Sequence, residues 1–475
     1  MLRKMLSLIL LCTVACGGAG KTPGTHGSSI STTRVPTGEK AQVAMYIRQI
    51  HDIDPAILWS IRKVALRTAD GSQIDFATEH ISVDTDELAG GQRLLAVADA
   101  APGDYAGITI FTEGALLKPR DKPMLVENSI LNVDHSFSAV AGDCSTLILL
   151  LSHAVASGGA QAEFRPFVET EKGIQRPSGK LVYVANENSM NVSVVDKAAR
   201  RVVYNVYIGA RPTSLGADNR RGRLYICDRR SGTIYEMDMT SQHLINVTEL
   251  DYVDEPVHVE PVPEKDIIMV VNYGSDSVHL LDSFTLQVVS TVDVGRKPIE
   301  AIYSRVWDLA FVLSSLHGTL SVLNLETTPT ASDTTIQVEL RPSGMAINEA
   351  DDWLYVSNEG STDISVIKME TLGVERSITV GTGVTDVAFD PYGRRLYVAF
   401  GYSREVKCID PYTEVEVFSL RMKVPPTELL FDPDEKRLYA LLPEANSVAV
   451  INPMTQSLES VIETGSRPSD MALRP

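Results

Sequence analysis

The chain has 475 residues, 44% of them apolar and 22% charged, with a formal net charge of −18 at pH 7. That length allows two or three domains, and that balance belongs to a globular protein rather than a disordered or membrane-embedded one. An acidic surface repels phosphate backbones and anionic lipid headgroups, which argues against nucleic acid as a partner and against membrane attachment by charge.

Residues 1–15 read as a signal segment. Met1-Leu-Arg-Lys4 is basic, Met5 to Val14 is largely apolar, and small residues follow. The apolar run is too short for a membrane-spanning helix, which needs about 20 residues. Thr13-Val-Ala-Cys16 resembles the bacterial lipobox, departing from it at Thr13, where Leu is usual. The resemblance implies lipidation at Cys16, which becomes the first mature residue, and a place in the cell envelope. Gly17 after the cysteine, rather than Asp, implies the outer membrane if the cell is Gram-negative. Cleavage removes Arg3 and Lys4 and moves the net charge from −18 to −20. The membrane is then met through the lipid anchor only. Residues 16–40 are rich in Gly, Ser, Thr and Pro, the composition of a flexible tether.

From 41 to 170 the pattern is one of short strands: Val43 to Ile50, Trp59 to Leu66, Ile74 to Ala77, His80 to Val83, Leu94 to Val97, Ile108 to Phe111, Leu125 to Val133, Thr146 to Leu151 and Ala162 to Val168. Turn residues such as Asp70-Gly71 and Pro102-Gly103 divide them. Many short strands at near-regular spacing predict a β-sandwich of about seven or eight strands. The Ala101-Pro-Gly-Asp-Tyr105 phrase with its upstream Asp70-Gly71 resembles an uncharacterised sandwich domain of bacterial lipoproteins, a resemblance that implies no chemistry.

Beyond residue 177 one phrase recurs seven times: Leu181-Val-Tyr-Val-Ala-Asn186, Leu224-Tyr-Ile-Cys-Asp228, Ile268-Met-Val-Val-Asn272, Ala310-Phe-Val-Leu-Ser314, Leu354-Tyr-Val-Ser-Asn358, Leu396-Tyr-Val-Ala-Phe400 and Leu438-Tyr-Ala-Leu-Leu442. Its central position falls at 183, 225, 269, 311, 355, 397 and 439, steps of 42 or 44. A fixed period in the forties built on β-rich phrases predicts one four-stranded sheet per repeat, stacked radially because no unit can bury both of its faces alone. The fold class is therefore all-β: a β-sandwich followed, over 177–475, by a seven-bladed β-propeller. The pattern begins on the second strand of a blade and ends on an innermost strand, Pro468 to Leu473, so the two ends of this segment complete one blade. The central Tyr183, Tyr225, Tyr355, Tyr397 and Tyr439 read as core filler between blades. Tyr183-Val-Ala-Asn186 and Tyr355-Val-Ser-Asn358 resemble the YVTN family of propellers. So do Gly209-Ala-Arg-Pro212, Gly295-Arg-Lys-Pro298, Gly465-Ser-Arg-Pro468 and the Asp-Pro phrases at Asp390 and Asp432.

Chemistry is sparse. Cys227 and Cys408 lie in the second and sixth repeats, too far around a seven-membered ring for a disulfide, and Cys144 lies in the other domain, so three free thiols are expected. No Cys-x-x-Cys-His, nucleophile elbow, zinc-protease, phosphate-loop or dinucleotide motif occurs, and no cofactor is expected. The third residue of each innermost strand runs Ser214, His258, Glu300, Gly344, Asp386, Glu428 and Asp470, with Arg211, Lys297, Arg341 and Arg467 just outside that ring. Four carboxylates and a histidine fit either a divalent cation, an anion or peptide received by the outer cations, or a hydrated and charge-balanced rim. A histidine-rich metal cluster is not available, since His258 is the one histidine of the propeller at this ring. Two functions fit: a lipid-anchored envelope binding or scaffold protein whose rigid propeller face engages an envelope protein or small ligand, or a propeller enzyme of the lactonase or lyase class working at the channel mouth. Short connecting loops favour a docking face over an enclosed pocket.

Overall fold

The computed structural model describes residues 40–49, 56–77, 80–86, 88, 92–118, 121–126, 129–156, 162–171, 179–326 and 332–475. The signal segment, Cys16 and the tether up to residue 39 lie outside the described residues. Among the described residues no helix is long and apolar enough to cross a membrane.

The N-terminal unit comprises β1 (Ala41–Gln49), β2 (Ile57–Thr68), β3 (Gln73–Ala77), β4 (Ile81–Asp84), β5 (Gln92–Ala100), β6 (Gly103–Leu117), β7 (Lys122–Val126), β8 (Ile130–Ala139), β9 (Cys144–Ala156) and β10 (Glu163–Thr170). These form one ten-stranded, barrel-like sheet in the order β3-β2-β6-β7-β10-β9-β1-β5, with β4 also on β2 and β8 also on β6. The expected β-sandwich of seven or eight strands is matched only roughly: ten strands are present, and the group of β1, β5, β9 and β10 is joined to the group of β2, β3, β4, β6, β7 and β8 in one barrel-like sheet. The 15-residue β6 is long enough to pair with three strands, and a short parallel contact of Glu163 and Phe164 with Leu125 and Val126 joins the two halves. The stretch read as one strand from Leu125 to Val133 is two strands, β7 and β8, that pair with opposite ends of β6. Trp59, Ile61, Met45, Ile47 and Phe164 fill the interior.

Seven four-stranded antiparallel sheets follow. Blade 1 is closed as the repeat phase predicts: the last strand, Pro468–Arg474, is its innermost member and pairs with Leu181–Asn186. The repeat tyrosines are buried between blades, with Phe311 and Met269 in the same slot. The phrase's final asparagine has a local task. Asn186 Nδ2 donates to Val184 O, Asn191 Oδ1 and Ser193 Oγ, and Asn358 Nδ2 bonds Val356 O, Asp363 O and Ser365 Oγ in the same way. Each thereby ties the end of the second strand to the start of the third. At the other end of the blade, Asp238, Asp282, Asp410 and Asn452 accept backbone amides two and three residues on, the Asx turns that lead into the outer strand. Cys144, Cys227 and Cys408 are free and buried, as expected, and burial pushes all three thiols up, Cys408 to about 12.

The N-terminal sheet docks on the rim of the disc. Ala44, Tyr46 and Cys144 share a core with Val182, Val184, Val202, Tyr439, Leu441 and Ile462 of blades 1 and 7. β1 is consequently buried on both faces.

Candidate functional site

Each innermost strand has no partner on its axial side, so its amides and carbonyls line the channel as a sheet edge would. The predicted ring supplies what those groups lack. Asp470 Oδ2 accepts from Leu215 N at 2.7 Å, Asp386 Oδ2 from Leu429 N at 2.7 Å, and Glu428 Oε1 from Met471 N at 3.2 Å. Ser214 Oγ accepts from Val259 N at 3.3 Å, and Glu300 accepts from the Met345 amide. His258 Nε2 lies 3.0 Å from Ala301 O and is the exception, a donor meeting a carbonyl. The rule is uniform: the third residue of one blade bonds the backbone of the fourth residue in the next. Gly344 completes the pattern by absence of a side chain, because a Cβ there would stand 2.1 Å from Asp386 Oδ1.

A second layer lies one residue earlier. Ser343 Oγ donates to Val384 O at 3.0 Å, Thr385 Oγ1 to Pro426 O at 2.9 Å, and Ser469 Oγ to Pro212 O at 2.8 Å. In this second layer hydroxyls serve carbonyls, whereas in the ring the carboxylates and Ser214 serve amides. This layer, and Glu260 two residues beyond His258, were not singled out from the sequence. The signal was present in the run of hydroxyls at the second position.

The channel is a cavity of about 540 Å³ that also takes in Glu260, Phe389 and Phe431. Burial pushes its acids up: Glu260 to about 8 and Asp386 to about 7, with the charge of Asp470 adding to the rise in both. Burial, then Asp386, Glu260 and Asp470, raises Glu300 well above the carboxylate range, and burial with Asp470 does the same for Glu428. Burial pulls His258 down, towards the neutral ring. Burial and mutual repulsion thus push the channel's acids towards their protonated forms. Among the described residues, no group of three or more His, Cys, Asp or Glu side chains is arranged to hold a metal ion.

The outer cations do not meet these acids. Arg467 pairs with Glu187 at 3.2 Å and Arg341 with Glu359 at 2.7 Å, both on the loops between second and third strands. Lys297 Nζ donates to Tyr273 O and sits 4.5 Å from the centre of the Tyr273 ring, with Arg229 also 4.5 Å from that ring. Arg211 lines a separate cavity of about 300 Å³ with Glu187, Thr213, Asp228, Arg229, Arg230, Tyr252 and Glu255. The expected charge-balanced rim therefore divides into an acidic, buried axis and a cation-bearing outer mouth.

No protein-family model matches the chain, and no curated protein does. Among solved structures, hydrazine synthase of Kuenenia stuttgartiensis is similar over 55% of this chain and 88% of that one, at 17% identity and a TM-score of 0.50. A functionally unknown protein from Desulfotomaculum acetoxidans DSM 771 is similar over 62% of this chain and 99% of that one, at 10% identity and a TM-score of 0.55. Similarity at these identities concerns the propeller fold alone.

Proposed function

We propose that this chain is a lipid-anchored cell-envelope binding or scaffold protein that docks a partner on the face where its innermost strands begin. Loops entering the innermost strands and loops between second and third strands share that face, because the strands of each blade alternate in direction. The observation that carries the reading is the exposure there of Tyr252 at 76%, Tyr402 at 72% and Leu340 at 66%, set among arginines and lysines. Exposed aromatics beside cations are the composition of protein-recognition hot spots. The alternative, a propeller lactonase or lyase, would need the axial acids free for substrate. Each instead commits an oxygen to a neighbouring blade's amide.

The test is cross-linked capture from membrane fractions of cells expressing wild type, Cys16→Ala, a Tyr252→Ala/Leu340→Ser/Tyr402→Ala variant, and a Phe284→Ala/Met454→Ala control on the opposite face. The expected result is loss of membrane retention in Cys16→Ala alone, and, among the variants retained in the membrane, loss of the captured partner in the triple variant but not in the opposite-face control. Equal capture by both face variants contradicts the docking reading. A wild type that fractionates as freely soluble contradicts the anchor.

A further inference from the structure

Within a blade, the residue before the innermost strand and the residue after the second strand face each other across the mouth. In blades 1 and 5 this slot holds an ion pair, Arg467 with Glu187 and Arg341 with Glu359. The backbone reinforces it: Glu187 N bonds Arg467 O at 3.0 Å and Glu359 N bonds Arg341 O at 2.8 Å, with both arginines in the left-handed conformation. In blade 2 the same two positions are Arg211 and Arg229, so the slot holds two cations.

The local structure of blade 2 departs accordingly. Arg211 does not take the left-handed backbone, and the Arg229 amide turns to Thr213 Oγ1 at 3.3 Å. The departure coincides with the cavity of about 300 Å³ described above. Every carboxylate in its wall is already engaged. Glu187 holds Arg467, Glu255 holds Arg229 at 2.8 Å, and Asp228 accepts from Arg230 N and Ser231 Oγ at 2.8 and 2.7 Å. Two cations are left over, since the side chains of Arg211 and Arg230 have no ion pair or hydrogen bond among the described residues. Tyr252 stands open at the cavity's edge.

We infer that this cavity, walled by Arg211, Arg229, Arg230 and Tyr252, binds the oxyanion of a small carboxylate- or phosphate-bearing ligand, which takes the place of the glutamate that blades 1 and 5 supply. Guanidinium groups match the planar, multi-oxygen geometry of such anions. A volume at the lower end of ligand pockets limits the ligand to a small molecule or a single side-chain-sized group. The inference rests on the reading that this face is the binding face, and names the chemistry it accepts at blade 2.

The test is thermal unfolding of the full chain in citrate and in inorganic phosphate, against chloride of matched ionic strength, for wild type, Arg211→Glu and Arg211→Gln/Arg230→Gln. Arg211→Glu places a carboxylate opposite Arg229, as in the paired blades, and is expected to melt at or above the wild-type temperature in chloride. An anion bound only by the folded state raises Tm by mass action, about 2 °C at tenfold above Kd. General stabilisation by these salts appears equally in all three proteins, so the readout is the extra rise in wild type. A rise with citrate alone assigns a carboxylate ligand, and one with phosphate alone a phosphate ligand. An equal response in wild type and both variants, or none in wild type, overturns the site. Should that happen while the face variants above still lose their partner, the docking reading stands without it. A site response with unchanged capture by those variants has the reverse meaning.

Discussion

Asp386 shows how one side chain serves both packing and charge. Its carboxylate staples blade 6 to blade 7 through Leu429 N, and it does so in a buried channel beside other acids. Burial lifts its folded-state pKa to about 7, above the value of about 3.9 for an unfolded aspartate. The folded protein therefore holds a proton that the unfolded chain has released. The stabilisation this brings is complete below about pH 4 and is lost as pH rises through about 7. Asp386→Asn keeps an oxygen for the Leu429 amide and removes the titration. The variant is expected to melt near the wild-type temperature at pH 5 and higher than wild type at pH 8, by on the order of 2–5 °C. Melting curves from pH 5 to 8 check it; a gap that does not widen with pH means the carboxylate is not held protonated by the channel. Glu260, raised to about 8 by burial, works in the same direction.

At the scale of strands and blades, the repeat phase carried most of the information. Steps of 42 or 44 residues place the second strands, and the phase at the two ends places the closing strand, because blade geometry repeats with sequence. The ring residues were legible as a set for the same reason. Their role was not: a sequence shows that Asp470, Glu428 and Asp386 share a strand position, but not that the nearest unpaired donor is the next blade's amide. The blade 2 anomaly was equally hidden, since Arg211 and Arg467 look alike until Arg229 and Glu187 are placed opposite them. The N-terminal sheet lacks any repeat, so its pairings are non-local, and nothing in β6 announces that it bonds three neighbours. Closure carries a prediction of its own. Ending the chain after Glu463 removes the ladder from Leu181 to Asn186, the Asp470 staple to Leu215 and the contact of Arg474 with Met239 O. It also leaves Leu181–Asn186 as an unpaired sheet edge. The cost is expected to be on the order of 5 kcal/mol or more, spread over the whole disc. A truncated protein that melts within a degree or two of the intact one contradicts closure by this strand.

For the molecule as a whole, the position of the N-terminal sheet matters more than its topology. It sits across the seam where the first and last blades meet. Asn205, on the outer strand of blade 1, bonds Ser193 Oγ at 2.8 Å, Tyr46 OH at 3.3 Å and Thr146 Oγ1 at 3.2 Å. Gln42 takes a hydrogen bond from Asn191 Nδ2 at 2.8 Å and gives one to Ser189 O at 2.6 Å. Glu171 holds Arg48 and Arg201, each at 3.1 Å, while blade 7 reaches back through Glu463 Oε2 to Leu94 N at 2.6 Å. Within the seam itself, Lys197 and Asp432 form an ion pair at 2.8 Å, both side chains sealed from water. Polar groups buried this completely cost several kcal/mol if their partners leave. The sheet thus clamps the one joint of the disc that depends on strands from opposite ends of the sequence, and the two units share a core. They are expected to unfold together. Calorimetry of wild type should give one transition, and Tyr46→Ala with Asn205→Ala, which cuts the hub and empties part of the shared core, should split it into two with the propeller melting lower than before. Two well-separated transitions in wild type, or a double variant that still melts as one unit at the wild-type temperature, would show that the sheet rides on the disc without securing it.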